Sequence, residues 1–204
     1  MKRRHTLLLL LFGLLVGCHE GNRQGSRIAE QVAATLQEGD LLFRRGTGFA
    51  GRVVSSFDAE GRFSHVGIAV LHAGEWCVVH AVPYEPESED DFDRVKCESL
   101  VGFLGRYPDA EYGHFRPQID PKYLARIVAH AQRQSQKQTP FDHDYNLEDT
   151  TRLYCTELIE YIFSLEGYSL SAGRRTEVSF PGLSGAYIFP SDLTQSTLLT
   201  PIIH

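Results

Sequence analysis

The sequence predicts a single α+β domain built around an antiparallel sheet, and three observations lead there. Two β-rich runs, Ser64–Leu71 and Trp76–Val82, flank a short polar turn. Helical periodicity falls before and after this strand-rich middle, at Phe49–Phe57, Lys122–Gln134 and Leu153–Leu165. A chain of 204 residues has room for one real core and little left for a second.

The N-terminus is a targeting signal. Lys2, Arg3 and Arg4 precede an apolar run from Leu7 to Val16. That run is too short to span a bilayer and reads as a signal peptide, residues 1–17. Leu15-Val16-Gly17-Cys18 resembles the bacterial lipobox, which implies cleavage before Cys18 and lipidation of its thiol. The residue after Cys18 is His19 rather than aspartate. In the sorting pattern of such lipoproteins this implies anchorage to the outer membrane, facing the periplasm, and several acyl chains on one cysteine hold firmly. Residues 18–37 then form the lipidated terminus and a tether, with a helix starting within Ile28–Leu36, and residues 38–204 form the domain.

Within the domain, Gly39-Asp40 punctuates and Leu41–Arg44 is a short buried strand. Phe49, Val53 and Phe57 mark a helix. The two β-rich runs make a hairpin about His72-Ala73-Gly74-Glu75. Residues 84–93 are strongly acidic and read as a solvated loop rather than a cation site. Glu111–Arg116 is a further strand. Pro121 opens a helix over Lys122–Gln134, where its missing N–H has no partner to lose. Residues 135–150 are loop, Leu153–Leu165 is a helix, and 167–186, with four glycines and a proline, reads as a loop over the site. Pro190–Leu193 is a helical turn and Leu198–Ile203 a last strand.

Charge narrows the partners. The formal net charge is −6, and loss of Lys2, Arg3 and Arg4 leaves about −9 on the exported chain. Such a surface repels phosphate backbones and no basic stripe offsets it, which argues against nucleic acid. Of four cysteines, Cys18 is assigned to the anchor and Cys155 to chemistry. Cys77 and Cys97 form a disulfide in an oxidising compartment or sit as two small buried hydrophobes, and sequence leaves both open.

Three residues carry the chemical reading. If the hairpin turns at Ala73-Gly74, His72 faces Glu75 and His65 faces Val82, which puts His65 and His80 on one face as a diagonal pair. Diagonal neighbours stand roughly 7–8 Å apart at Cα, within reach of long side chains. A three-residue loop would put them on opposite faces. From Cys155, the helical positions Leu158, Ile159, Ile162 and Phe163 are all apolar, so the thiol begins the core-facing stripe of its helix. A helix packed on the sheet would present this thiol to the histidines. Free N–H groups at a helix start favour a thiolate and can later hold an oxyanion. A metal site using His65, His80, Cys155 and Asp142 or His143 matches no compact zinc spacing, and neither metal nor cofactor is implied.

Gly39-Asp40-Leu41-Leu42-Phe43, Phe63-Ser64-His65-Val66-Gly67-Ile68 and Tyr154-Cys155-Thr156-Glu157-Leu158-Ile159 resemble, in order, the signature blocks of the YiiX/YaeF group of permuted NlpC-type papain-like hydrolases. Thr139-Pro140-Phe141-Asp142 and Phe189-Pro190-Ser191-Asp192-Leu193 fit the same pattern, so the resemblance covers about residues 38–203. It implies a circularly permuted papain-like fold, Cys155 as nucleophile, His65 as base and His80 in the place of the third, orienting residue. Some relatives carry glutamate at that third place. Related acyltransferases of the lecithin:retinol type carry histidine. The resemblance also implies a thiolate–imidazolium pair and an acyl-thioester on Cys155, with Tyr154 either shaping the pocket or filling core. The leading function is an envelope amidase or peptidase acting on a small amide or peptide such as a peptidoglycan fragment. A lipid esterase or acyltransferase, and an envelope binding module without turnover, are the alternatives.

Overall fold

The computed structural model describes residues 24–203, apart from 47, 48, 59, 87, 108, 181 and 182. The signal peptide expected over residues 1–17 and the lipidation expected at Cys18 lie outside the described residues. No helix among the described residues is long and apolar enough to cross a membrane.

The chain runs α1 (24–33), β1 (Leu41–Arg44), α2 (Phe49–Phe57), β2 (His65–His72), β3 (Glu75–Val82), β4 (Arg94–Ser99), α3 (Leu100–Gly105), β5 (Tyr112–Pro117), α4 (Pro121–Gln136), α5 (Cys155–Ser164), β6 (Thr176–Phe180), β7 (Leu183–Tyr187), α6 (Pro190–Thr194) and β8 (Leu199–Pro201). Six strands form one sheet in the order β4-β3-β2-β1-β5-β8, with antiparallel pairing throughout. The domain is therefore α+β, as its sequence predicts.

The central strands are covered on both sides. Phe43, Val66, Ile68, Val70, Val79 and Ala81 meet Ile127 and Ala131 of α4 and Leu158, Ile159 and Ile162 of α5. Leu42, Ala69 and Val78 point the other way, against Ala29 and Val32 of α1 and Leu100 and Phe103 of α3. Among the described residues the packed body thus includes α1, ahead of the expected boundary at residue 38. The polar composition of this stretch conceals a spacing of buried residues, Ala29, Val32 and Leu36, that binds it to the sheet.

The hairpin register holds. His72 pairs with Glu75 and Ile68 with Val79. The two turn residues, Ala73 at φ 52° and Gly74 at φ 85°, both take the left-handed conformation that a two-residue hairpin turn of matching twist requires. Cys77 and Cys97 are joined, with Cα atoms 5.7 Å apart, and fasten β3 to the edge strand β4. Asp40 turns out to be a structural clasp. Its buried carboxylate accepts hydrogen bonds from Gln37 N, His114 Nε2 and Arg116, tying the turn between α1 and β1 to β5.

Three segments depart from the sequence reading. Arg94–Ser99 is a strand, β4, and Leu100–Gly105 a helix capped by the Ser99 hydroxyl. The segment read as an irregular loop over the site contains a two-stranded ribbon, with Val178 opposite Gly185. Its glycines and serines dilute an alternation that pairing along the ribbon sustains. Helix α5 begins at Cys155 instead of Leu153, because Tyr154 adopts extended backbone and caps it.

Candidate active site

His65 and His80 lie on one face of the hairpin. His65 Nε2 and His80 Nδ1 are 2.8 Å apart, and the rings meet edge to face with centroids 5.1 Å apart. Gly67 makes this possible. A Cβ there would lie 2.5 Å from Val78 Cγ1 and 3.0 Å from both His80 Cβ and Val79 O. The glycine of the Ser-His-Val-Gly block therefore leaves the space that His80 occupies. Phe103 closes the floor, its ring 5.2 Å from His80 and 5.9 Å from His65.

The expected placement of the helix needs correction. The histidines share the face that carries Val78 and Phe103, whereas α5 packs on the opposite face. The first residue of α5 reaches round the end of β2. The backbone N–H of Val66, one residue beyond His65, and those of Thr156 and Cys155 at the helix start favour the ionised form of the Cys155 sulfur. Cys155 and His65 line the same cavity of about 360 Å³. The thiol thus meets the imidazole's strand at the sheet end.

Burial and neighbouring charge act on both groups. Burial pushes the Cys155 thiol up to about 11, against the pull of those three amides. Burial, then the positive charge of Arg44, holds the His65 imidazole well below its usual range, with His80 and Arg106 acting in the same sense. Burial thus favours the neutral form of each group.

Behind the histidines lies a charge cluster that sequence reasoning missed. His80 Nε2 is 3.4 Å from Glu98 Oε2 on β4. Arg106 pairs with Glu98 through Nη2 and with Glu85 through Nε at 2.9 Å. Arg44 grips Glu85 at 2.7 Å while its guanidinium lies over Phe103. Alternation in Arg94-Val95-Lys96-Cys97-Glu98 was the available signal for the strand. Nothing local showed which strand it would pair with.

Tyr154 is buried. Its hydroxyl accepts from the Ile188 N–H at 3.1 Å, and Thr156 Oγ1 donates to the Ile188 carbonyl at 2.6 Å. These two bonds pin the segment between β7 and α6 against α5, and Tyr154 also lines the cavity. Tyr145, its ring tilted against that of Tyr154 with centroids 5.3 Å apart, joins Phe57, Phe141, Tyr187 and Phe189 in an aromatic wall. Asp142 and His143 are engaged elsewhere. The Asp142 carboxylate accepts the Asp144 and Asn146 amides, and His143 faces Asp93. Among the described residues no three His, Cys, Asp or Glu side chains are gathered to hold a metal ion.

No protein-family model matches the chain, and no curated protein does. Among solved structures, it is similar to the metalloprotein yiiX from Escherichia coli O157:H7, with a TM-score of 0.64 at 18% sequence identity. The match covers 82% of this chain and 96% of that one. The chain therefore has a yiiX-like fold.

Proposed function

We propose that this chain is a thiol hydrolase of the cell envelope with the permuted papain-like arrangement, lipid-anchored through Cys18 to the outer membrane and exposed to the periplasm. One observation carries the reading. A buried imidazole bonded to a second imidazole shares a cavity with a thiol at the first residue of a helix. Burial favours a neutral start, so His65 acts as general base. It takes the Cys155 proton as sulfur attacks a carbonyl carbon, and the amides at the start of α5 stabilise the oxyanion, each donor worth about 3–4 kcal/mol. The imidazolium gives its proton to the departing amine, leaving a thioester. Water then attacks with His65 again as base, releasing the acid and the thiol. His80 orients the His65 ring.

The solved neighbour is described as a metalloprotein. The site residues here do not fit an ion, because His65 and His80 spend a ring nitrogen on each other and the other candidate donors face elsewhere. A second reading, an esterase or acyltransferase acting on lipid, is favoured by the aromatic wall, which suits an apolar acyl group.

A panel of fluorogenic amides and lipid esters tests both. Turnover of either class that vanishes in Cys155→Ala and His65→Ala, with unchanged circular dichroism, supports the assignment and selects the substrate. Full activity in Cys155→Ala refutes it. Ligand binding without turnover or labelling of Cys155 identifies a binding module instead.

A further inference from the structure

We infer that Glu98 is a positioning residue for this site, the acceptor that sets the tautomer of both histidines and so leaves the His65 lone pair to the thiol. The inference rests on the hydrolase reading and extends it by one residue beyond His80.

The argument follows the protons. An ionised carboxylate only accepts hydrogen bonds. Glu98 is ionised: burial opposes this, but His80 and then Arg106 hold its carboxyl down to about 2. His80 Nε2 is fully buried, has no well-aligned hydrogen-bond partner, and lies 3.4 Å from Glu98 Oε2. The nitrogen facing a carboxylate is the one that carries the hydrogen. His80 Nδ1 is then a bare acceptor, and the 2.8 Å contact requires His65 Nε2 to donate to it. A neutral imidazole has one N–H, so His65 Nδ1 keeps its lone pair. A base needs that lone pair, and the opposite tautomer would disable it.

The carboxylate also answers a weakness in the pair. A neutral histidine stabilises an imidazolium poorly, yet Glu98 puts a full negative charge behind it. The charged groups facing His80 come from every neighbouring element: His65 on β2, Arg44 on β1, Glu85 after β3, Lys96 and Glu98 on β4, and Arg106 after α3. Lys96 opposes His80 in register, but its ammonium goes to the Glu85 carbonyl and Asp91. Arg44 and Arg106 disfavour the imidazolium, and Glu98 is the carboxylate that meets His80 directly. Removing Glu98 and removing Arg106 should therefore act in opposite directions.

The test is the pH profile of Cys155 alkylation by iodoacetamide in the full chain, with the label located by peptide mass. This readout needs no substrate. Glu98→Gln keeps the shape but lets the side chain donate or accept, so the tautomer is no longer fixed. Alkylation at pH 7 should fall about tenfold and the profile midpoint should rise by about one pH unit. Arg106→Gln frees the carboxylate and should move the midpoint down, whereas simple damage to the fold moves both variants the same way. A Glu98→Gln profile matching the wild type overturns the inference. If Glu98→Gln does not fold, Arg106→Gln decides, and an unchanged or raised midpoint there overturns it. His65→Ala separates the two levels. If its profile equals the wild type, the Cys155–His65 assignment itself fails and takes this inference with it.

Discussion

Gly67→Ala places one methyl group where the backbone of β2 meets His80. The added carbon would stand 2.5 Å from Val78 Cγ1, and 3.0 Å from His80 Cβ and from the Val79 carbonyl oxygen. Val78 is fully buried among α1 and α3 residues and His80 is fully buried as well, so neither can swing into solvent. The Val79 oxygen belongs to the sheet backbone and cannot yield without disturbing the β2–β3 pairing. Overpacking of this kind costs about 1–3 kcal/mol. At roughly 2–4 °C per kcal/mol for a domain of this size, the melting temperature should fall by about 2–12 °C. Relief by moving the His80 side chain would break the 2.8 Å bond to His65, so activity should fall further than the melt accounts for. Thermal melts by near-ultraviolet circular dichroism, with turnover measured well below the transition, read both effects. An alanine variant with wild-type melting and wild-type turnover would refute the packing argument, and with it the reason given for glycine in the block.

Two other outcomes follow from the packing and charge of the domain. Reduction of Cys77–Cys97, which closes a loop of sequence separation 20, should lower stability by about 3 kcal/mol, read as a drop in the urea midpoint on adding dithiothreitol; an unchanged midpoint with both thiols titrating as free would contradict it. Glu157 caps α5 by accepting the Tyr154 N–H, yet its Oε1 is buried without a partner. Burial, then the charges of Asp142 and Asp149, push it up to about 8, against 4.5 when exposed, despite the Tyr154 bond. A raised carboxyl contributes stability fully below pH 4.5 and loses it as pH climbs through 8. Glu157→Gln should thus gain on the wild type between those values and hold its advantage above them, measured as the difference in melting temperature across pH. A difference that stays flat across pH removes the buried-carboxyl explanation.

Much of the site was legible because short-range periodicity encodes it. Alternation plus a two-residue turn fixes the hairpin register, and register alone puts His65 and His80 on one face. A stripe at helical spacing places Cys155 at the head of its helix, since Leu158, Ile159 and Ile162 must face a core. Both inferences use bonds made within a few residues, where the chain itself dictates geometry. What stayed hidden depends on contacts between segments far apart in the chain. Whether α5 covers the histidine face or the opposite one depends on which surfaces the helices fill, and the sequence pattern of α5 is the same in either case. Glu98 and Arg106 look like surface charges until β4 pairs with β3 and α3 folds beneath them. The aromatic wall draws on residues from Phe57 to Phe189, and no local rule assembles it. The sequence by itself determined the secondary structure of the hairpin and of the helix that Cys155 begins, and the residue types fit for thiol chemistry. Tertiary packing decided the direction in which their pKa values move, because burial and neighbouring charge act through space and not along the chain.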